Sequence, residues 1–112
     1  MNPKQKEAFE ALRKKYISAI PDKIANLKKA AERKDVHLLE QESHKIKGTG
    51  KTYGYEEISL VAFHINKYCR EKHPDALLKA EKGCVLLQKI YDSIQAGSTY
   101  DMQNDPLFKE IQ

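Results

Sequence analysis

Apolar residues in this chain recur every three or four positions along most of its length, and nowhere do they alternate over a strand-length run. A period near 3.6 places such residues on one side of a helix, whereas a half-buried strand needs a period of two. That property restricts the chain to packed amphipathic helices. Phe9, Leu12, Tyr16, Ile20, Ile24, Leu27 and Ala31 keep one helical phase across Pro21. Proline removes a backbone donor inside a helix, yet it suits a helix's first turn. The unbroken phase predicts one long helix over residues 4–33, bent near Pro21. Asp35 is placed to N-cap a second helix with the stripe Val36, Leu39, Ser43, Ile46 and Gly50, running to about Lys51. Gly54 closes that unit. Ile58, Val61, Ala62, Ile65 and Cys69 mark a third helix ending near Lys72. A fourth starts at Pro74 with the stripe Leu77, Ala80, Cys84, Leu87, Tyr91 and Ile94, and Gly97 suits its C-terminal stop.

The expectation is an all-α fold, an antiparallel up-down four-helix bundle over residues 1–96. Residues 97–112 contain Gly97, Asn104, Pro106, three acids and one lysine. They read as a polar C-terminal tail or linker stub, docking at most weakly through Tyr100, Leu107 and Phe108.

Composition narrows the function. At 112 residues the chain is one domain's worth of polypeptide. Twenty Lys and Arg against 16 Asp and Glu leave +4, a modest charge. The clusters Arg13-Lys14-Lys15, Lys28-Lys29 and Arg33-Lys34 lack interleaved aromatics and read as solvated helix faces, not a nucleic-acid surface. No apolar run approaches the roughly 20 residues of a membrane span, and no apolar core of a secretory signal follows the start. No membrane association is expected, and a cytoplasmic setting is. Cys69 and Cys84 lie on core stripes and read as buried, reduced thiols.

Chemistry concentrates in His44-Lys45-Ile46-Lys47-Gly48-Thr49-Gly50-Lys51-Thr52-Tyr53-Gly54. Gly50-Lys51-Thr52 looks like the end of a phosphate-binding P-loop, but Lys45 stands where that motif needs glycine, and the phase is helical. On a helix turning about 100° per residue, His44 points away from Leu39, Ile46 and Gly50. Its own face carries His37, Glu40, Gln41, Gly48 and Lys51, with Lys47 one turn along. Gly48 and Gly50 weaken the helix by about 1 kcal/mol each relative to alanine. Gly50 faces the core, where it permits close packing. Gly48 faces outward and clears space beside His44. Lys47 is a flexible point charge suited to a phosphate. Neutral imidazole is a nucleophile near pH 7, with an ordinary pKa of about 6.5, and phosphoryl transfer needs mainly positioning and charge neutralisation. Leu60 lies off the core stripe of its helix; it is either a stray surface leucine or part of an apolar docking patch with His44. His37 and His44 are about 10 Å apart along a helix, too far for one metal, and the paired Glu-x-x-His motifs of a bundle di-metal site are absent. No metal is expected.

His44-x-x-Lys47-Gly48, followed by Gly54 ten residues after the histidine and by Ile58 and Ala62 four and eight past Gly54, resembles the signature of histidine-containing phosphotransfer (HPt) domains. The resemblance covers residues 5–96. It implies a phosphorelay intermediate: Nε2 of His44 accepts a phosphoryl group from an aspartyl phosphate on a receiver domain and passes it to another receiver. By the same resemblance Lys47 stabilises the phosphoryl oxygens, Gly48 admits the receiver and Gly54 shapes the turn after the second helix. Glu40, Gln41, Lys51, His37 and Leu60 then belong to the docking face, with Gly50 structural. The implied partners are response-regulator receivers, with a hybrid histidine kinase as a further candidate. Magnesium belongs to the receiver, and no cofactor is expected on this chain. Lys51 stands where the family often has a small residue, and Tyr53 where it often has a small or aliphatic one. The chain has no nucleotide-binding motif and is too short for a kinase catalytic domain besides the bundle, so a carrier without autokinase activity is expected, as a monomer. Two readings from other classes compete. One is a non-phosphorylated helical protein that binds and inhibits a receiver or kinase. The other is a nucleic-acid adaptor using the basic faces, whose binding would depend steeply on salt.

Overall fold

The structure is a computed structural model describing residues 1–112, and its regular elements are all helical. They are α1 (Pro3–Ser18), α2 (Ile20–Glu32), α3 (Val36–Thr52), α4 (Glu56–Arg70), α5 (Ala76–Ala96), a 3₁₀ turn (Met102–Asn104) and α6 (Pro106–Ile111). α2 packs against α3 and α5, and α4 packs against the same two helices. Leu27, Leu39, Ile58, Ile65, Leu86 and Leu87 fill the space between them, each fully buried. No helix is long and apolar enough to cross a membrane.

The expected single first helix is two. Pro21 has no N–H to give the Ile17 carbonyl, so the hydrogen-bond ladder lapses and α2 restarts with Pro21 in its first turn. Ala19, between the helices, keeps a right-handed helical conformation (φ −89°, ψ −7°), which is why the apolar phase runs through the break. Tyr16, Ile17, Ile20, Ile24 and Leu27 are all buried. The stripe fails further toward the N-terminus: Leu12 is 49% exposed, and of Pro3–Leu12 only Phe9 is partly buried. The chain therefore has six helices where four were expected.

α3 and α4 keep their expected stripes, whereas α5 begins at Ala76, with Pro74 in the turn before it, and buries Gly83, Leu86 and Ile90 beside Ala80, Cys84 and Leu87, leaving the expected Leu77, Tyr91 and Ile94 only partly buried. Asp35 caps α3 by accepting the Leu38 N–H at 3.0 Å. Ile58, Val61, Ala62, Ile65 and Cys69 are buried together on α4. Gly97 ends α5 with a left-handed φ of 67°. Burial pushes the Cys69 and Cys84 thiols up to about 11, so both stay protonated at neutral pH.

Residues 97–112 are not a polar tail. Asp105 accepts the Leu107 N–H at 2.8 Å and Pro106 opens the helix, so α6 is nucleated locally. Phe108 and Ile111 are buried where α6 packs on α5 and α4, and Met102 is buried in the 3₁₀ turn beside α6. Polar clips hold the segment: Tyr100 donates to Asp105, Lys89 reaches the same carboxylate at 2.9 Å, and Tyr68 donates to the Gln112 carbonyl at 2.7 Å. The Tyr100 and Lys89 bonds hold the Asp105 carboxyl down at about 2.

α6 carries a pH dependence. The half-buried His64 ring lies edge-on between Phe63 (5.2 Å) and Phe108 (5.8 Å). Burial and the neighbouring Lys67 lower its pKa from the ordinary 6.5. The unfolded chain therefore takes up this proton first as pH falls, and stability is lost below 6.5 and is level above it. Protection of the Phe108 and Ile111 amides from hydrogen exchange, corrected for intrinsic rates, is expected to be lower at pH 5.5 than at pH 7.5, and His64→Gln is expected to remove the difference.

Candidate functional site

The second stripe of α3 places the site. Leu39, Ser43, Ile46 and Gly50 face the core, so the intervening residues His37, Gln41, His44, Gly48 and Lys51 face solvent. Gly50 lets α3 and α4 approach closely: a Cβ there would lie 3.0 Å from the Ser59 backbone nitrogen. A Cβ on Gly48 would meet nothing within 4 Å, so the space beside His44 is open. Gly54 takes φ +81°, a conformation L side chains rarely adopt, and turns the chain from α3 into α4.

α1 braces that turn. Arg13 Nε donates to the Tyr53 carbonyl at 2.8 Å, and its guanidinium sits 4.8 Å from the centre of the Tyr55 ring. Tyr53 stacks on Tyr16 at 5.0 Å, and the Thr49 hydroxyl donates to the Tyr16 phenol oxygen at 3.0 Å. The departure noted at Tyr53 thus has a structural role: the ring joins α1 to the end of the helix that carries His44.

The expected site residues fall around two neighbouring shallow depressions between α3 and α4. His37, Glu40, Gln41 and His44 line one, with Asn66 and Arg70 from α4. Lys47, Gly48, Lys51 and Leu60 line the other, with Glu56, Ser59 and Phe63. His44 and Lys47 thus line different depressions. Leu60 is partly buried beside the 39%-exposed Phe63. Lys45 pairs with Glu42 at 3.6 Å, while Lys47, Lys51 and Arg70 form no salt bridge and remain available to an anion. No three of the chain's His, Cys, Asp and Glu side chains sit close enough together to hold a metal ion. His73 serves its own turn, its Nδ1 accepting the Asp75 N–H at 3.0 Å.

Ser59, Phe63, Asn66 and Arg70 are absent from the sequence expectation. A signal existed: their spacing of four, three and four puts them on one strip of α4, beside the core stripe. Which neighbour that strip faces is decided only by packing.

A surface of this kind offers an uncrowded imidazole, unpaired ammonium and guanidinium groups near it, and an apolar border. It suits a reaction in which a second macromolecule brings an anionic group to the ring. A family model described as Hpt domain matches residues 11–97. No curated protein and no solved structure matches the chain.

Proposed function

The chain belongs to the Hpt-domain family, and from that premise we propose that His44 is the phosphoryl acceptor and donor of a two-component phosphorelay. The observation that carries this reading is the exposed His44 ring beside the open position at Gly48. The Nε2 lone pair attacks phosphorus while the bond from phosphorus to the receiver's aspartate oxygen breaks. The electron pair of that bond leaves with the carboxylate. The return step runs the same sequence backwards onto a second receiver. Lys47, half-buried and unpaired, offsets charge on the phosphoryl oxygens. Leu60 and Phe63 supply the apolar part of the docking face, and His37, Glu40, Gln41 and Lys51 its polar part. The chain carries a phosphoryl group and does not make one from a nucleotide.

The test is incubation with a phosphorylated receiver. The expected product is an acid-labile, base-stable label on this chain, and Lys47→Ala is expected to slow its formation about 10- to 100-fold with the fold intact. Receiver binding with no label would favour the inhibitor reading instead.

Gly48 separates docking from stability. Gly48→Leu adds a better helix former at an open position, so stability is expected to rise by about 0.5–1 kcal/mol. The same side chain fills the space beside the imidazole, and transfer from the receiver is expected to fall at least about tenfold, equivalent to about 1.4 kcal/mol of barrier. Denaturation midpoints and transfer rates on one preparation check the opposite signs.

A further inference from the structure

Tyrosine aside, three polar residues are buried: Ser43, Ser59 and Asn66. All three donate to backbone carbonyls of α3, and to only two of them. Ser43 Oγ (3.2 Å) and Asn66 Nδ2 (2.9 Å) bond the Glu40 carbonyl, and Ser59 Oγ bonds the Lys47 carbonyl at 2.6 Å. Within a helix, the Glu40 carbonyl is the one that accepts the backbone N–H of His44. The two α4 side chains therefore grip α3 one turn before His44 and one turn after it.

Backbone satisfaction does not require these bonds. Each carbonyl lies within α3 and has a ladder partner four residues on, so apolar residues at 59 and 66 would leave no orphan on α3. Burying a hydroxyl and a carboxamide also carries a desolvation cost that an apolar residue avoids. Yet these donors are confined to the stretch holding His44 and Lys47, where Gly48 and Gly50 weaken the helix. Gly50 is part of the same arrangement: its missing side chain lets Ser59 approach closely enough to reach Lys47.

We propose that Ser59 and Asn66 are positioning residues for phosphoryl transfer, holding α3 from α4 so that His44 and Lys47 keep a fixed mutual orientation. The inference rests on the phosphotransfer reading. Ser59 and Asn66 lie at the floors of the two depressions, only 8% and 4% exposed, and offer a receiver little surface, so the main effect of changing them belongs in the rate of the chemical step and not in receiver affinity.

The experiment compares the parent chain with the double variant Ser59→Ala, Asn66→Leu, and with Ile111→Val, a core change in α6 of modest expected stability loss. The double variant is expected to keep its helical circular dichroism, to lower kcat for transfer from the receiver about tenfold with KM within twofold, and to show increased ¹⁵N relaxation-detected mobility at residues 44–51. Ile111→Val is expected to change neither quantity. Ser59→Thr, which keeps a hydroxyl, is expected to transfer faster than Ser59→Ala. Parental kcat in the double variant, a loss confined to KM, a loss no greater than that of Ile111→Val, or unchanged mobility at 44–51 overturns the proposal. The mobility measurement needs no receiver. A parent that takes no label therefore refutes the phosphotransfer reading separately, while rigid 44–51 in the double variant refutes the clamp.

Discussion

His44→Gln is expected to abolish phosphoryl acceptance completely while leaving the fold as stable as the parent. Glutamine keeps a polar side chain of similar reach but has no ring nitrogen with a free lone pair, so no N–P bond can form. The fold should not register the change, because His44 is exposed and its side chain makes no hydrogen bond or salt bridge within the chain. Surface substitutions of that kind shift stability by about 0.5 kcal/mol or less. Urea denaturation and receiver-dependent labelling on the same protein supply both halves. Label retained at parental level would place the acceptor on another residue, and the three remaining histidines are then the ones to replace in turn. A lost label accompanied by a large fall in stability would mean that His44 acts through the fold, and the phosphotransfer assignment would lose its support.

Phe108→Ala is expected to produce the largest change in stability, about 3–5 kcal/mol, the usual cost of deleting a fully buried phenylalanine side chain. The loss is limited by the free energy of docking α6, because a six-residue helix has little stability of its own and leaves the bundle as a unit. Hydrogen exchange separates the two contributions. Amides of the 3₁₀ turn and α6 should lose protection first, with α2–α5 retaining more. A change below about 0.5 kcal/mol, the level typical of an exposed position, would restore the description of residues 97–112 as a loosely attached tail.

These two positions differ in how plainly the sequence displays them. His44 faces solvent because Leu39, Ile46 and Gly50 face inward on the same helix, and helical periodicity encodes that relation within one element. Asp35, Gly54 and Gly97 are legible for a similar reason, since a cap or a left-handed turn is chemistry of a few adjacent residues. Phe108 is different. Its segment has too few apolar residues to display a period, so nothing local distinguishes a docked helix from a solvated one. Ser59, Asn66 and Arg70 escape a reading of the sequence because a polar side chain's partner on another helix leaves no trace in the spacing of its own.

Periodicity therefore settled that the chain is helical, which face of α2, α3 and α4 is buried and that one imidazole stands in water beside a vacant glycine position, because these properties repeat along a single helix every 3.6 residues. Packing decided the remainder. Pro21 ends a hydrogen-bond ladder without disturbing the phase, so the first helix divides where the pattern runs on unbroken. The last helix exists where α4 and α5 accept Phe108 and Ile111. The clamp across Glu40 and Lys47 forms only because α3 and α4 meet closely at Gly50. Contacts between elements distant in sequence depend on shape and on what each surface has left unpaired, and neither is written into the order of residues within one helix.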